Sequence, residues 1–515
     1  MPSPRIVARP PRGELRPPRR LTGDELASRL MDAARTPGGH SPALLLPRTE
    51  GELAWTLRHS PALLPIGAQS SLTGGATPFG EWLLATSGFD RLELLRGGRA
   101  RVGAGVSLLQ LEDSLGPAGL FFPPTPTHKG ACLGGAIATN AAGAATFKHG
   151  STRDWVRGLS VVLASGDVLE LERGACRAGA AGLFEIGLPS GETLRVPAPS
   201  YAMPDVPKRS AGYHSEPNLD LVDLFVGSEG TLGVVVEAEI GLAPRPARLA
   251  GLLAARSEAQ ALALVACLRG EGRRARASGG REGLDLASIE SLDRRCLELL
   301  REDDAAPGAL IDAETDTALL FELELPRPQD ADAALVRLEA VLGDAASRLL
   351  VALPGDRARR EALEALREAA PVAVNHRIER AQRELDPLVR KVAADMIVPF
   401  ERLGDALALY RGCFARQGLD HALFGHVSDG NVHANALPRS REDVARGDQA
   451  LLEMGEQVIR WGGCPMSEHG VGRNRVKQEL LRRLYGDSGI SQMRAVKAAL
   501  DPQTRLAPGV LLPLA

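Results

Sequence analysis

Ten consecutive residues, Gly134 to Gly143, read GGAIATNAAG. Only Ile137 in that run carries a large apolar side chain. A backbone so bare cannot build its own core, so something else packs against it: a bound cofactor, or another layer of protein. Two further stretches share this texture. Pro65 to Gly75 reads PIGAQSSLTGG directly after an apolar run, alternating small residues with hydroxyls. Successive N–H groups in such a turn form an anion nest, and glycine lets a phosphate approach the main chain. The stretch lacks the GK[ST] ending of a P-loop and the GxGxxG spacing of a dinucleotide turn. The third stretch is Val226 to Val235, VGSEGTLGVV, in which Glu229 reads as a turn former. Each alone is compatible with tight turns; three in order within one domain point to a backbone that holds a ligand.

Around these stretches the chain is ordinary. Its 515 residues are 44% hydrophobic and 24% charged, which is globular and leaves room for two large domains or three smaller ones. A net charge of -3 excludes a strongly basic nucleic-acid binder. No apolar run reaches the roughly 18 residues of a transmembrane helix. The six cysteines are scattered without a CxxC pair, which excludes iron–sulfur and zinc-ribbon spacings and fits a reducing cytosol. Residues 1–42 read as a basic, proline-rich, flexible tail followed by a short helix capped at Thr22. Residues 43–245 read as a strand-rich α+β domain. Residues 246–460 alternate helices with strands such as TALLFELELP, a second α+β domain. Residues 461–515 return to glycine-rich loops.

The three glycine-rich stretches, in this order and spacing, resemble the FAD-binding domain of the vanillyl-alcohol-oxidase/para-cresol-methylhydroxylase superfamily. The blocks that carry the resemblance are SLTGGA with its preceding loop, PPTPT…GGAIATNAAG…KHGSTRDWV, and GSEGTLGVV. The resemblance implies that Ile66, Gly67, Ala68, Gln69, Ser70 and Ser71 hold the pyrophosphate. It implies that Thr127, Gly134, Thr139, Gly143, Ser151 and Val235 lie along the FAD. Superfamily members that tether the flavin through this loop carry a His after its Gly. This chain has Ala68 there, so the expectation is non-covalent FAD. Lys148 and His149 fall near the expected flavin, with packing and catalytic roles both open.

A second constellation lies in the later half. Phe424 to Asn435 reads FGHVSDGNVHAN. Asp-Gly between apolar flanks signals a two-residue hairpin turn. With Asp429 and Gly430 as that turn, Ser428 pairs with Asn431 and Val427 with Val432. His426 then stands directly opposite His433, at about the 4.5–5.5 Å of facing Cβ atoms. Asn435 points to the same face. Downstream, Ser467-Glu468-His469-Gly470 places a carboxylate and an imidazole before a glycine. Two His and one Glu make a ligand set with open positions, suited to Zn²⁺ or Mn²⁺.

Together these motifs resemble the C-terminal domain of FAD-linked D-2-hydroxy-acid dehydrogenases, the D-lactate dehydrogenase, glycolate oxidase and D-2-hydroxyglutarate dehydrogenase type. The resemblance implies an antiparallel-sheet substrate domain, with His426, His433 and Glu468 as metal ligands and His469 as catalytic base. Arg377, in VNHRIERAQRE, stands where such enzymes carry an Arg that clamps the substrate carboxylate, with Asn435 beside the substrate. The 2-hydroxyglutarate enzymes carry a Lys where this chain has Ala393, with Lys391 two residues upstream, which disfavours a dicarboxylate. The expected reaction is oxidation of a D-2-hydroxy acid, D-lactate first, to the 2-oxo acid. Without an iron–sulfur or haem motif, electrons must pass to an external cytochrome, quinone or electron-transfer flavoprotein. A homodimer and a place at the inner membrane face are compatible with this reading. The rivals are an alkyl-dihydroxyacetone-phosphate-synthase-like enzyme and a non-catalytic flavin subunit of an oxidase complex.

Overall fold

The computed structural model of the chain describes residues 3–124, 128–303 and 310–514. It divides into two compact units. The first holds residues up to 142, 151–244 and 464 onward; the second holds 143–150 and 245–463. Both mix helices with sheets, as the α+β reading requires. Residues 143–150 thus leave their neighbours in sequence and join the second unit.

In the first unit, Leu44–Leu46, Trp82–Ala85 and Leu63–Ile66 lie parallel in a four-stranded sheet. Helix Glu50–His59 carries the chain from Leu44–Leu46 to Leu63–Ile66, the two strands that flank Trp82–Ala85, with the Thr49 side chain accepting from the Glu52 N–H. Residues 67–75 follow the carboxyl end of Leu63–Ile66, where open parallel sheets bind ligands. A second sheet is antiparallel, in the order Val168–Glu172, Val156–Val162, Val234–Gly241, Arg99–Gly103, Leu92–Leu95.

Two features depart from the sequence reading. The segment read as a flexible tail carries structure: Arg5–Val7 pairs parallel with Leu183–Gly187, and Arg9 bonds Glu50 at 2.7 Å. Hydrogen-bonding partners far along the chain hold it, a signal its proline-rich composition hides. The helix expected from Thr22 shrinks to Asp24–Ala27, begun at Gly23 with no side-chain cap.

The second unit is one large sheet, antiparallel at every pairing. Its order is Leu349–Ala352, Ala247–Ala255, Thr317–Leu325, Leu286–Leu292, His421–His426, Asn431–Ala436, Val392–Ala393. Helix Arg357–Glu384 turns Leu363, Leu366, Ala370, Ala373, Val374, Ile378 and Ala381 inward. That three-and-four spacing makes one apolar stripe, and the stripe shares a core with the strands and the helix Arg294–Glu302. Among the described residues no helix is long and apolar enough to cross a membrane.

Candidate active site

The bare backbone of the first unit does both things its composition allows. A Cβ on Gly134 would lie 2.7 Å from the Ala104 Cβ, so that glycine admits another layer of protein. A Cβ on Gly135 would meet nothing within 4 Å. Gly135 faces a cavity of about 290 Å³. The same cavity is lined by Ile66, Gly67, Ala68, Gln69, Ser70, Ser71, Gly134, Thr139 and Val235. Gln69 adopts a left-handed backbone, φ 55. Its amide donates to the Arg29 and Ala76 carbonyls at 2.9 and 2.8 Å, which anchors the loop. Thr139 donates its hydroxyl to the Gly135 carbonyl at 3.1 Å. Glycine-walled space at a strand's carboxyl end, beside a hydroxyl-rich loop, fits a flavin dinucleotide.

The remaining predicted contacts are not among the described residues that line this cavity. Thr127 lies outside the described residues. Gly143 belongs to the second unit and donates its N–H to the Thr146 hydroxyl. Ser151 caps the turn Thr152–Trp155 in a reciprocal capping box with Asp154 and does not line the cavity. Lys148 is held by Asp285 and Glu324, 2.6 Å to each, and His149 Nε2 sits 3.0 Å from Glu324. These partners give both residues a packing role within the second unit.

Glu468 and His469 also line the cavity. Glu468 is buried, with Oε2 3.3 Å from the Nζ of Lys208, which is 0% exposed. His469 is 29% exposed, so its ring is reachable from solvent, and its Nε2 lies 3.6 Å from Glu468 Oε1. Two wall or support residues escaped the motif reading as partners: Lys208 and Glu229. Lys208 is one of only six lysines in the chain, and that scarcity was the one signal it offered. Glu229 does form a turn, φ 52. Its carboxylate also accepts from the N–H groups of Val471 and Gly472.

In the second unit the hairpin is real but its register differs. Phe424, not His426, stands opposite His433. The turn spans four residues, 427–430, instead of two. The reason lies in a neighbouring strand. Ser428 donates its N–H to the Ile289 carbonyl and accepts the Ile289 N–H on its hydroxyl. It is therefore lost to pairing across the hairpin. Gly425 allows the close approach this needs, since a Cβ there would lie 2.7 Å from the Asn431 carbonyl oxygen. A shift of two residues preserves the face, because side chains alternate with period two. His426 and His433 become diagonal neighbours, with ring centroids 5.3 Å apart and planes at 89°.

Carboxylates support both rings. Glu290, paired in register with His426, brings Oε2 within 2.9 Å of its Nδ1. A carboxylate behind Nδ1 favours the tautomer that keeps the Nε2 lone pair for a metal. Asp395 lies 4.0 Å from His433 Nδ1. Asn435 is 0% exposed, and its Oδ1 has no hydrogen-bond partner among the described residues. Imidazoles, carboxylates and a buried amide oxygen are donor types that suit a divalent cation. Ala393 stands opposite Asn435, while Lys391 donates to Asn375. Arg377 is bound at 2.7 Å by each of Glu302 and Asp303. A substrate carboxylate would have to displace those two. Asp395 was missed, although an acid within the apolar run VAADMIVP was a signal for it; Glu290, far upstream, left no local sign.

Comparison with known proteins gives two matching family models. Residues 41–172 match the FAD binding domain, and residues 273–511 match the C-terminal domain of FAD-linked oxidases. The glycolate oxidase subunit GlcD of Bacillus subtilis is 30% identical over 91% of this chain and 88% of its own. The mitochondrial D-2-hydroxyglutarate dehydrogenase of Bos taurus is 29% identical over 95% and 80%. The D-lactate dehydrogenase of Anaerostipes hadrus is 25% identical over 96% and 95%. A solved alkyldihydroxyacetonephosphate synthase shares the fold, with TM-score 0.58 and 14% identity over 94% of this chain and 81% of that one.

Proposed function

Because the chain belongs to the FAD-linked oxidases, as an oxidoreductase of the D-2-hydroxy-acid and glycolate oxidase type, we propose that it oxidises a D-2-hydroxy acid, D-lactate first, to the 2-oxo acid. The observation that carries this reading is one wall. The reachable imidazole of His469 and the glycine-bare backbone around Gly135 line the same cavity. FAD held there non-covalently by residues 66–71, Gly134, Thr139 and Val235 would supply the two-electron acceptor. His469 takes the proton from the C2 hydroxyl, a task suited to imidazole near neutral pH.

The proposed metal ligands are His426, His433 and Glu468, and a divalent ion there would acidify the substrate hydroxyl. Asn435 offers an amide oxygen towards the substrate. Arg377 would clamp the substrate carboxylate only after release from Glu302 and Asp303. Electrons leave to an external acceptor: a cytochrome, a quinone or an electron-transfer flavoprotein.

The test is anaerobic titration of the flavin spectrum with D-lactate, L-lactate, glycolate and D-2-hydroxyglutarate, before and after chelation. Bleaching by a D-acid, lost on chelation and restored by zinc or manganese, supports the reading. Relatives named for glycolate and D-2-hydroxyglutarate match over similar shares, so those acids compete in the same titration. A flavin that none of the four bleaches overturns the assignment.

A further inference from the structure

The two peptide groups that join Gly470, Val471 and Gly472, just after His469, are gripped from two sides. Lys477, 7% exposed, donates from Nζ to the Gly470 carbonyl at 3.1 Å. Val471 and Gly472 donate their N–H groups to Glu229, at 2.8 Å to Oε1 and 2.8 Å to Oε2. Both carboxylate oxygens are therefore committed to consecutive peptide groups. The backbone is shaped for this. Gly470 has φ 74, and a Cβ there would lie 2.9 Å from the Glu229 carboxyl carbon. Only glycine lets the carboxylate come so close. On the other side, the Arg473 N–H donates to the Thr73 carbonyl at 3.0 Å, just past the phosphate loop.

We propose that Glu229 and Lys477 are positioning residues that set the height and angle of His469 on the cavity wall. The catalytic part rests on the reading of His469 as the proton acceptor. A misplacement of about 1 Å can cost on the order of 100-fold in rate, so such a clamp has something to act on. The clamp also answers to pH. Burial pushes the Glu229 carboxyl up to about 7, against the pull of the two N–H donors and Lys477. The charged or titratable groups facing it are Lys477 and Tyr213, with Glu468 and His469 on the clamped segment. Ionised, Glu229 accepts two N–H groups; protonated, one oxygen becomes a hydroxyl and a poorer acceptor.

Two measurements test the proposal. The first uses the wild-type flavoprotein and needs no activity. Amide hydrogen exchange of the peptide covering 468–473 is followed from pH 6 to 8.5 and corrected for intrinsic rates. Protection at Val471 and Gly472 should fall as pH drops through about 7, while the strand Val234–Gly241 keeps its own. Val471 and Gly472 amides that exchange as fast as an exposed loop at every pH overturn the clamp, and protection that does not change with pH overturns its response to pH. The second follows bleaching by the most active of the four acids in E229Q, K477M, K477R and H469Q. E229Q turns one acceptor oxygen into a donor, so kcat should fall about 10–100-fold with KM little changed and flavin content retained. K477R should recover part of the K477M loss, and this pair decides if E229Q fails to fold. Wild-type kcat and pH profile in both E229Q and K477M overturn the proposal. Wild-type bleaching in H469Q instead overturns the reading of His469, while the exchange experiment still judges the clamp.

Discussion

The two units prepare for their ligands by opposite means. The cavity of the first is made by leaving side chains out: Gly135 opens onto it and Gly134 lets protein pack behind it. The hairpin face of the second is made by crowding side chains in: His426, His433 and Asn435 share one face, backed by Glu290 and Asp395. A site built from backbone depends on local conformational freedom. A site built from donors depends on which distant residue stands behind each one. Their buried acids differ in the same way. Glu229 meets backbone N–H groups and ends near 7. Glu324 meets charged side chains: although burial pushes it up, His149 and Lys148 hold it down to about 2.

The largest expected effect falls on the first unit. His469→Gln should slow anaerobic bleaching by about 10²–10⁴-fold, the usual worth of a general base. The flavin should remain bound, because Gln keeps a polar side chain of similar reach on the wall. Loss of flavin along with the rate would make the residue part of the cavity's construction instead.

Next comes acid stability in the second unit. Glu324 is ordinary at 4.5 when unfolded and about 2 when folded. Its ion pairs therefore contribute stability in full above about pH 4.5, and that share is lost as pH falls towards 2. The difference is on the order of 3 kcal/mol. Urea unfolding between pH 6 and 3 should show the loss in the wild type and a flatter profile in Glu324→Gln. Parallel profiles would remove Lys148 and His149 from the account of how residues 143–150 are held.

A pair of glycine substitutions separates the two faces of the bare backbone. Gly135→Leu should project into open space and weaken flavin binding by about 1–3 kcal/mol, with the melting temperature of the flavin-free protein unchanged. Gly134→Leu should clash with Ala104 and lower that melting temperature. Equal effects on both quantities would erase the distinction. The smallest expected change is Glu290→Gln. It keeps the shape behind His426 but loses the charge, and should weaken metal binding about 10-fold in equilibrium dialysis.

Much of the cavity was legible because glycine announces itself: GGAIATNAAG states where side chains are missing, whatever surrounds it. The sharing of one face by His426 and His433 was also legible, since period two survives a shift of two residues. The register itself was not. Asp-Gly favours a two-residue turn locally, but Ser428 takes its partners from Ile289, on another strand. Nor does the texture of PPTPT…KHGSTRDWV reveal that residues 143–150 leave for the second unit.

By itself, then, the order of residues determined where the backbone is bare, where the chain reverses, and which donors alternate onto one face. These follow from φ/ψ freedom and strand periodicity, properties of neighbours along the chain. Only the tertiary structure decided who supports whom: Lys208 behind Glu468, Glu290 behind His426, Glu229 across the peptides after His469. Each pairing joins residues more than a hundred positions apart. A carboxylate or ammonium carries no local mark of its partner; burial in the folded chain selects it.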